Sequence, residues 1–304
     1  MEITNGSSVY IVTKNVADAK KYRLYLCVQK ETNRQCLLQA AVSKEYNVAL
    51  IRAAYILAEL KRRSDEIEEE YEKKNPGKIL NYHLGFPELV DGFIPPGING
   101  RRVNVLAFRN VDETSRMVPL INITEKDRLR VDLRTSAWIM GKQLKLFTLT
   151  HNENFSMNLV SGKNILIEPN EHYVLFFDWT AAEIHPDEIP MEKRRQEISF
   201  AAQAVIAVLG GDWKKGFIPN DKTEPFQKYV DARLERIKTK RGGEIEENEP
   251  TSKIRDRAFK RYVDFLLRLA RGNESRAEKA HRDFYDIVDA LWEREFYQFT
   301  TKPL

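Results

Sequence analysis

The stretch that most constrains this chain is "NILIEPNEHYVLFFDW", residues 164–179. An apolar run, "NILI", passes through a proline-bearing turn, "EPNEH", into a second apolar run, "YVLFF", which ends on an acid. Short apolar runs bounded by turn formers predict two strands and not a helix. A hairpin of this length puts Asn164 and Asp178 at neighbouring strand ends. An amide and a carboxylate so placed suit a hard cation and the phosphates it carries.

The flanking sequence differs on the two sides. Before it, "KYRLYLCVQ" (21–29) and "QCLLQAAV" (35–42) read as strands joined by the turn "KETNR". From Asn47 the pattern is helical, with Val48, Ile51, Tyr55 and Ala58 spaced as one apolar face. The charged continuation "SDEIEEEYEKK" stops at "NPG" (75–77) and reads as a solvated surface with weak ion pairs. "FPELVDGFI" (86–94) and "RRVNVLAF" (101–108) are two more strands across the turn "PPGING". Later, "RTSAWIMGKQLKLFTLTH" (134–151), "EISFAAQAVIAVLGG" (197–211), "DRAFKRYVDFLLRLAR" (256–271) and "HRDFYDIVDALWEREF" (281–296) read as helices. The second of these is apolar almost all round and is expected to be central and buried. The charged stretch 238–253 reads as a mobile loop. The expected fold is therefore α+β and bilobal. A small antiparallel-sheet lobe with one helix (1–123) precedes a larger, mainly helical lobe (124–304), and ligand clefts favour such junctions.

Composition excludes several classes. The chain has 304 residues, 42% hydrophobic and 31% charged, enough for two lobes with their own cores. No apolar stretch reaches the roughly 20 residues a bilayer crossing needs, and the N-terminus does not read as a secretory signal. Cys27 and Cys36 read as reduced core thiols. The net charge of +4 is spread through interleaved acids and bases, without the basic, aromatic-studded face that nucleic acid requires. A cytoplasmic protein with neither membrane nor nucleic-acid partner is the expectation.

The order of these pieces, with "NILI" before "FFDW" and a buried helix ending in Gly-Gly, resembles the protein-kinase-like superfamily. It is most similar to a bacterial kinase-like group that carries "VDW" in place of Asp-Phe-Gly. The matching pieces are "RRVNVL" (101–106), "AWIMGKQLKLFTLTH" (137–151), "FDW" (177–179) and "FYQFTTKPL" (296–304). The resemblance spans about residues 20–304. It implies ATP and Mg²⁺ as cofactors, with Asn164 and Asp178 holding the metal and Gln39 at the position of the nucleotide-contacting lysine.

Residue by residue, the resemblance implies a damaged catalyst. Phosphoryl transfer in this fold uses a glycine-rich loop, a lysine paired to a helix glutamate, a catalytic aspartate, and Asn and Asp on magnesium. The segment "VYIVTKNVADAKKYRLYL" contains no glycine, Gln39 replaces the lysine, and Ala53 stands at the helix glutamate's place. Nothing in the sequence brings Lys30 or Arg52 there as a substitute. Five residues before Asn164, where the base belongs, the chain has Leu159, which accepts no proton. Lys163 reads as solvated. His151 and His172 have no metal-ligand spacing, and Glu197 is expected to hold the catalytic loop's backbone. Asn164 and Asp178 have two readings, a metal shelf or a local brace.

The expected function is that of a pseudokinase, a regulatory module for a protein partner with weak nucleotide and Mg²⁺ binding. The alternative is an atypical active phosphotransferase using ATP and Mg²⁺. A third reading makes the charged helix 59–74 or the helical lobe an interface in a multi-protein assembly.

Overall fold

The computed structural model describes residues 1–219, 251–291 and 298–304. Six antiparallel strands form the N-terminal sheet: β1 (Glu2–Thr4), β2 (Val9–Asp18), β3 (Tyr22–Gln29), β4 (Arg34–Ala41), β5 (Glu88–Phe93) and β6 (Val103–Ala107), in the spatial order β1-β2-β3-β4-β6-β5. Helix α1 (Asn47–Lys74) lies between β4 and β5 in the chain. The two expected strands of the first hairpin are present as β3 and β4, and Cys27 stands directly opposite Cys36. Both thiols are buried and unbonded. Burial pushes both pKa values up, to about 12 for Cys27 and about 11 for Cys36, as befits inert core groups. They pack with Tyr10, Leu38, Val103 and Val105 into the core on one face of the sheet.

The "RRVNVL" segment joins α1 to this sheet. Asn104, fully buried on β6, donates to the Leu50 carbonyl of α1 at 2.9 Å. Arg102 N–H donates to Asn47 Oδ1 at 2.8 Å, and Asn47 Nδ2 donates to the Gly100 carbonyl at 2.9 Å. These bonds tie the first turns of the helix to β6 and to the turn before it. They also set its rotation, which corrects the expected apolar face. Val48, Ile51, Tyr55 and Ala58 are exposed, and the helix buries Leu50, Ala53, Ile56, Leu57 and Leu60 instead. The small residues Ala49, Ala53 and Ala54 belong to the buried side. Beyond Leu60 its exposed side carries i,i+4 pairs such as Lys73–Glu69 and Lys74–Glu70, as its composition predicts, while Ser64 stays buried.

Later elements are β7 (Val118–Pro119), α2 (Asn122–Glu125), β8 (Leu129–Val131), α3 (Leu133–Asn152), β9 (Phe155–Ser156), β10 (Ile165–Glu168), β11 (Tyr173–Phe176), β12 (Glu183–Ile184), α4 (Met191–Val208), α5 (Thr251–Ala270), α6 (Ala277–Leu291) and β13 (Thr301–Pro303). The chain forms two compact units. One holds Met1–Val118, Asn152–Val160 and Asn164–Ile189; the other holds Pro119–His151, Ser161–Lys163 and Pro190–Leu304. The sheet and the β10–β11 hairpin thus belong to the first unit, and the long helices to the second.

In the second unit α4 packs on α5. Ser199 Oγ and Gln203 Nε2 both donate to the Ala270 carbonyl, at 2.7 and 2.9 Å. Helix α3 meets α5 through the buried Ser136–Tyr262 contact at 2.9 Å. It meets α6 at Gly141, where a Cβ would lie 2.7 Å from the Phe284 ring. Helix α4 is less uniformly buried than its composition suggests, because Phe200 and Ala207 face solvent. Strand β13 pairs with β8, Thr301 opposite Val131. Residues 238–250 of the expected loop lie outside the described residues, and Thr251–Lys253 belong to α5. Residues 292–296 of the last expected helix, and 296–297 of the C-terminal motif, also lie outside them. Among the described residues no helix is long and apolar enough to cross a membrane.

Candidate functional site

The β10–β11 hairpin brings Asn164 and Asp178 together as the sequence predicts. Ile165 pairs with Phe176, leaving the two polar residues just beyond the paired ends. Their contact is intimate. Asp178 N–H donates to Asn164 Oδ1 at 2.6 Å, and Asn164 Nδ2 donates to the carbonyls of Leu159 at 2.8 Å and Asp178 at 3.2 Å. Asn164 is 8% exposed, so its amide spends its hydrogen bonds inside the protein. Leu159 is held by its backbone while its side chain is 37% exposed.

The Asp178 carboxylate is engaged on both oxygens. Oδ1 accepts the Thr180 N–H at 2.8 Å, an Asx turn, and Oδ2 accepts the Tyr22 hydroxyl at 3.1 Å. Tyr22 opens β3 and is almost fully buried. Burial drives its pKa well above the ordinary phenol value, and the Asp178 charge and hydrogen bond push the same way. The neighbouring Gln39 amide works the other way and partly offsets those effects. Gln39 is 2% exposed on β4 and stands opposite Leu24, so Tyr22 is its diagonal neighbour on the same sheet face. Tyr22 therefore links the sheet to Asp178, with the buried Gln39 beside it on the same face.

Positive charge reaches the site from two places that the sequence did not indicate. Ala19 N–H donates to the Tyr22 carbonyl at 2.9 Å, closing the β2–β3 turn over Lys20 and Lys21. From that turn Lys21 Nζ donates to the Thr180 carbonyl at 3.0 Å, and from α1 Arg52 Nη2 donates to the same oxygen at 3.3 Å. Among the described residues neither cation forms an ion pair, and the buried Arg52 Nε has no hydrogen-bond partner. Of the two cations weighed from the sequence as substitutes, Arg52, one residue before Ala53, reaches the Thr180 carbonyl. Lys30 does not reach it and pairs with Glu2 at 3.6 Å. The tight β2–β3 turn brings Lys21 to this carbonyl.

The surroundings are rigid. Trp179 is 1% exposed, donates its indole N–H to the Phe176 carbonyl at 2.8 Å, and meets the Phe86 ring edge-on at 6.5 Å. Asn158, in the left-handed region at φ 58°, donates to the Ala181 carbonyl at 3.1 Å. Glu168, at the other end of β10, is buried against Arg116 at 2.8 Å. In the second unit Lys163 is exposed. There Glu197 pairs with His151 at 2.9 Å, both buried, with His151 stacked on Phe147. This is a helix-to-helix tie between α3 and α4.

Asn164 and Asp178 brace each other: Asn164 Oδ1 accepts the Asp178 N–H, and each Asp178 carboxylate oxygen accepts one hydrogen bond. Tyr22, Lys21 and Thr180 are the site residues that sequence reasoning missed. The signal for Tyr22 was Gln39, a polar residue inside an apolar strand, which requires a buried partner. Neither family models nor curated proteins give a match to this chain.

Proposed function

We propose that the chain is a pseudokinase: a protein-kinase-like scaffold that serves a protein partner as a regulatory binding module and does not transfer phosphate efficiently. The strand order, with one helix between β4 and β5 and a hairpin ending at Asp178, supports the kinase-like assignment. One observation carries the functional reading. The carboxylate a kinase would turn toward magnesium is occupied on both oxygens by Tyr22 and Thr180 N–H. Leu159 stands where the proton acceptor would be, and the uncharged Gln39 lies buried beside Tyr22 where the lysine would be. Positioning and electrostatics dominate phosphoryl transfer, and here both are committed to the fold.

A second reading, an atypical phosphotransferase using ATP and Mg²⁺, is favoured by Lys21 and Arg52. They supply two positive charges beside Asp178's neighbour Thr180. The test is a thermal-shift titration with ATP and Mg²⁺ on wild type, Asp178→Ala and the Lys21→Ala/Arg52→Gln double variant. The pseudokinase reading predicts at most a small shift, lost in the double variant and kept without Mg²⁺. A shift of several degrees that needs both Mg²⁺ and Asp178 would favour the phosphotransferase.

A further inference from the structure

The turn between α5 and α6, residues 271–276, borders a cavity of about 740 Å³, a volume within the usual range for ligand sites. Arg195 at the start of α4 and Arg271 and Arg276 on the turn line it, together with Glu192 and Glu274. The acids are already spent. Glu274 accepts the N–H groups of Ser275 and Arg276, both at 3.1 Å, and pairs with Lys279 at 3.0 Å. Glu192 pairs with Arg195 at 2.7 Å. Arg271 and Arg276 are exposed and form no ion pair among the described residues.

The turn that presents them is built to stay in place. Gly272 adopts φ 73°, in the left-handed region that glycine enters without strain. Gly272 and Asn273 N–H groups donate back to Leu269 and Arg268 carbonyls at 2.8 and 3.1 Å, closing α5. Ser199 and Gln203 hold the preceding carbonyl, that of Ala270. The missing side chains of two glycines also make room for arginines. A Cβ on Gly272 would lie 3.3 Å from the Arg195 stem, and one on Gly216 would lie 3.2 Å from Arg271 Nη2.

We propose that this cavity binds a phosphate group carrying two negative charges, held by Arg271 and Arg276 with Arg195 beside them. Two uncompensated guanidiniums call for two charges, which a single carboxylate does not supply. Their planar forks match phosphate oxygens in paired hydrogen bonds. The braced turn lowers the ordering cost of binding. The site is independent of Asn164 and Asp178. The phosphate arrives either on a small molecule or on a phosphorylated side chain of a partner.

The experiment titrates the full chain, by calorimetry, with inorganic pyrophosphate, with a phosphoserine peptide, and with that peptide unphosphorylated. Saturable binding of pyrophosphate or of the phosphopeptide is expected, and which of the two binds identifies the source. Arg271→Gln and Arg276→Gln should each weaken it about tenfold, Arg271→Lys by less, and Lys73→Gln, on the exposed face of α1, not at all. Unchanged unfolding midpoints confirm that these exposed substitutions leave the fold intact. Binding of neither phosphate probe, equal binding of the unphosphorylated peptide, or wild-type affinity in the Arg271→Gln/Arg276→Gln double variant would overturn the proposal.

Discussion

Two regions of this protein gather cationic side chains without matching carboxylates, and they use them differently. Lys21 and Arg52 converge on a backbone carbonyl, that of Thr180, inside a network that also holds Asp178 and Tyr22. Arg271 and Arg276 instead face a cavity, from a turn whose own backbone needs are met by other groups. In the first region charge closes a structure; in the second it is left available. Arginine content alone therefore says little about binding. What separates the two cases is whether the fold has given each cation an acceptor.

The sharpest way to break this contrast is Asn164→Ala. It removes two donated bonds and strands the Asp178 N–H, so stability should fall by about 3 kcal/mol. Arg271→Gln should change it by less than about 0.5 kcal/mol. Urea denaturation of both variants measures the difference, and equal effects would end the distinction.

A smaller effect follows from Tyr22→Phe, which removes the hydroxyl donor to Asp178 and should cost about 1 kcal/mol at neutral pH. Its pH dependence is more diagnostic. Because the folded-state pKa of Tyr22 is raised, the native protein keeps a proton that the unfolded chain releases near pH 10. Wild-type stability is therefore complete below that pH and declines above it. Tyr10 and Tyr262 are raised by burial as well, so the informative quantity is the difference between variants. Tyr22→Phe should lose stability less steeply between pH 9.5 and 11, and parallel curves would remove Tyr22 from the network.

The smallest expected change belongs to Lys21→Ala and Arg52→Gln, each about 1 kcal/mol or less, since both cations are partly exposed. Here the outcome sharpens the comparison. A measurable loss keeps both residues as braces, whereas no loss in either would move them to the side of Arg271 and Arg276.

Much of this architecture could be read in the sequence, for identifiable reasons. The β10–β11 hairpin was legible because short apolar runs and a proline-bearing turn admit little else, and that alone placed Asn164 beside Asp178. The rotation of α1 was not legible. Its first turns carry two overlapping apolar faces, and the choice between them is made by Asn104 and Asn47, which bind backbone groups far apart in sequence. The cations at Thr180 were hidden for a related reason. Lys21 and Thr180 are 159 positions apart, and no local pattern marks a lysine in a turn as a donor to a distant carbonyl.

The claim that the Asp178 carboxylate is committed to the fold is tested most directly by phosphoryl transfer from γ-labelled ATP, with Mg²⁺ or Mn²⁺, in wild type and Asp178→Ala. The account predicts no stoichiometric label on the protein or on added protein substrate in either form. Stoichiometric incorporation by wild type, abolished in Asp178→Ala while that variant stays folded, would contradict it.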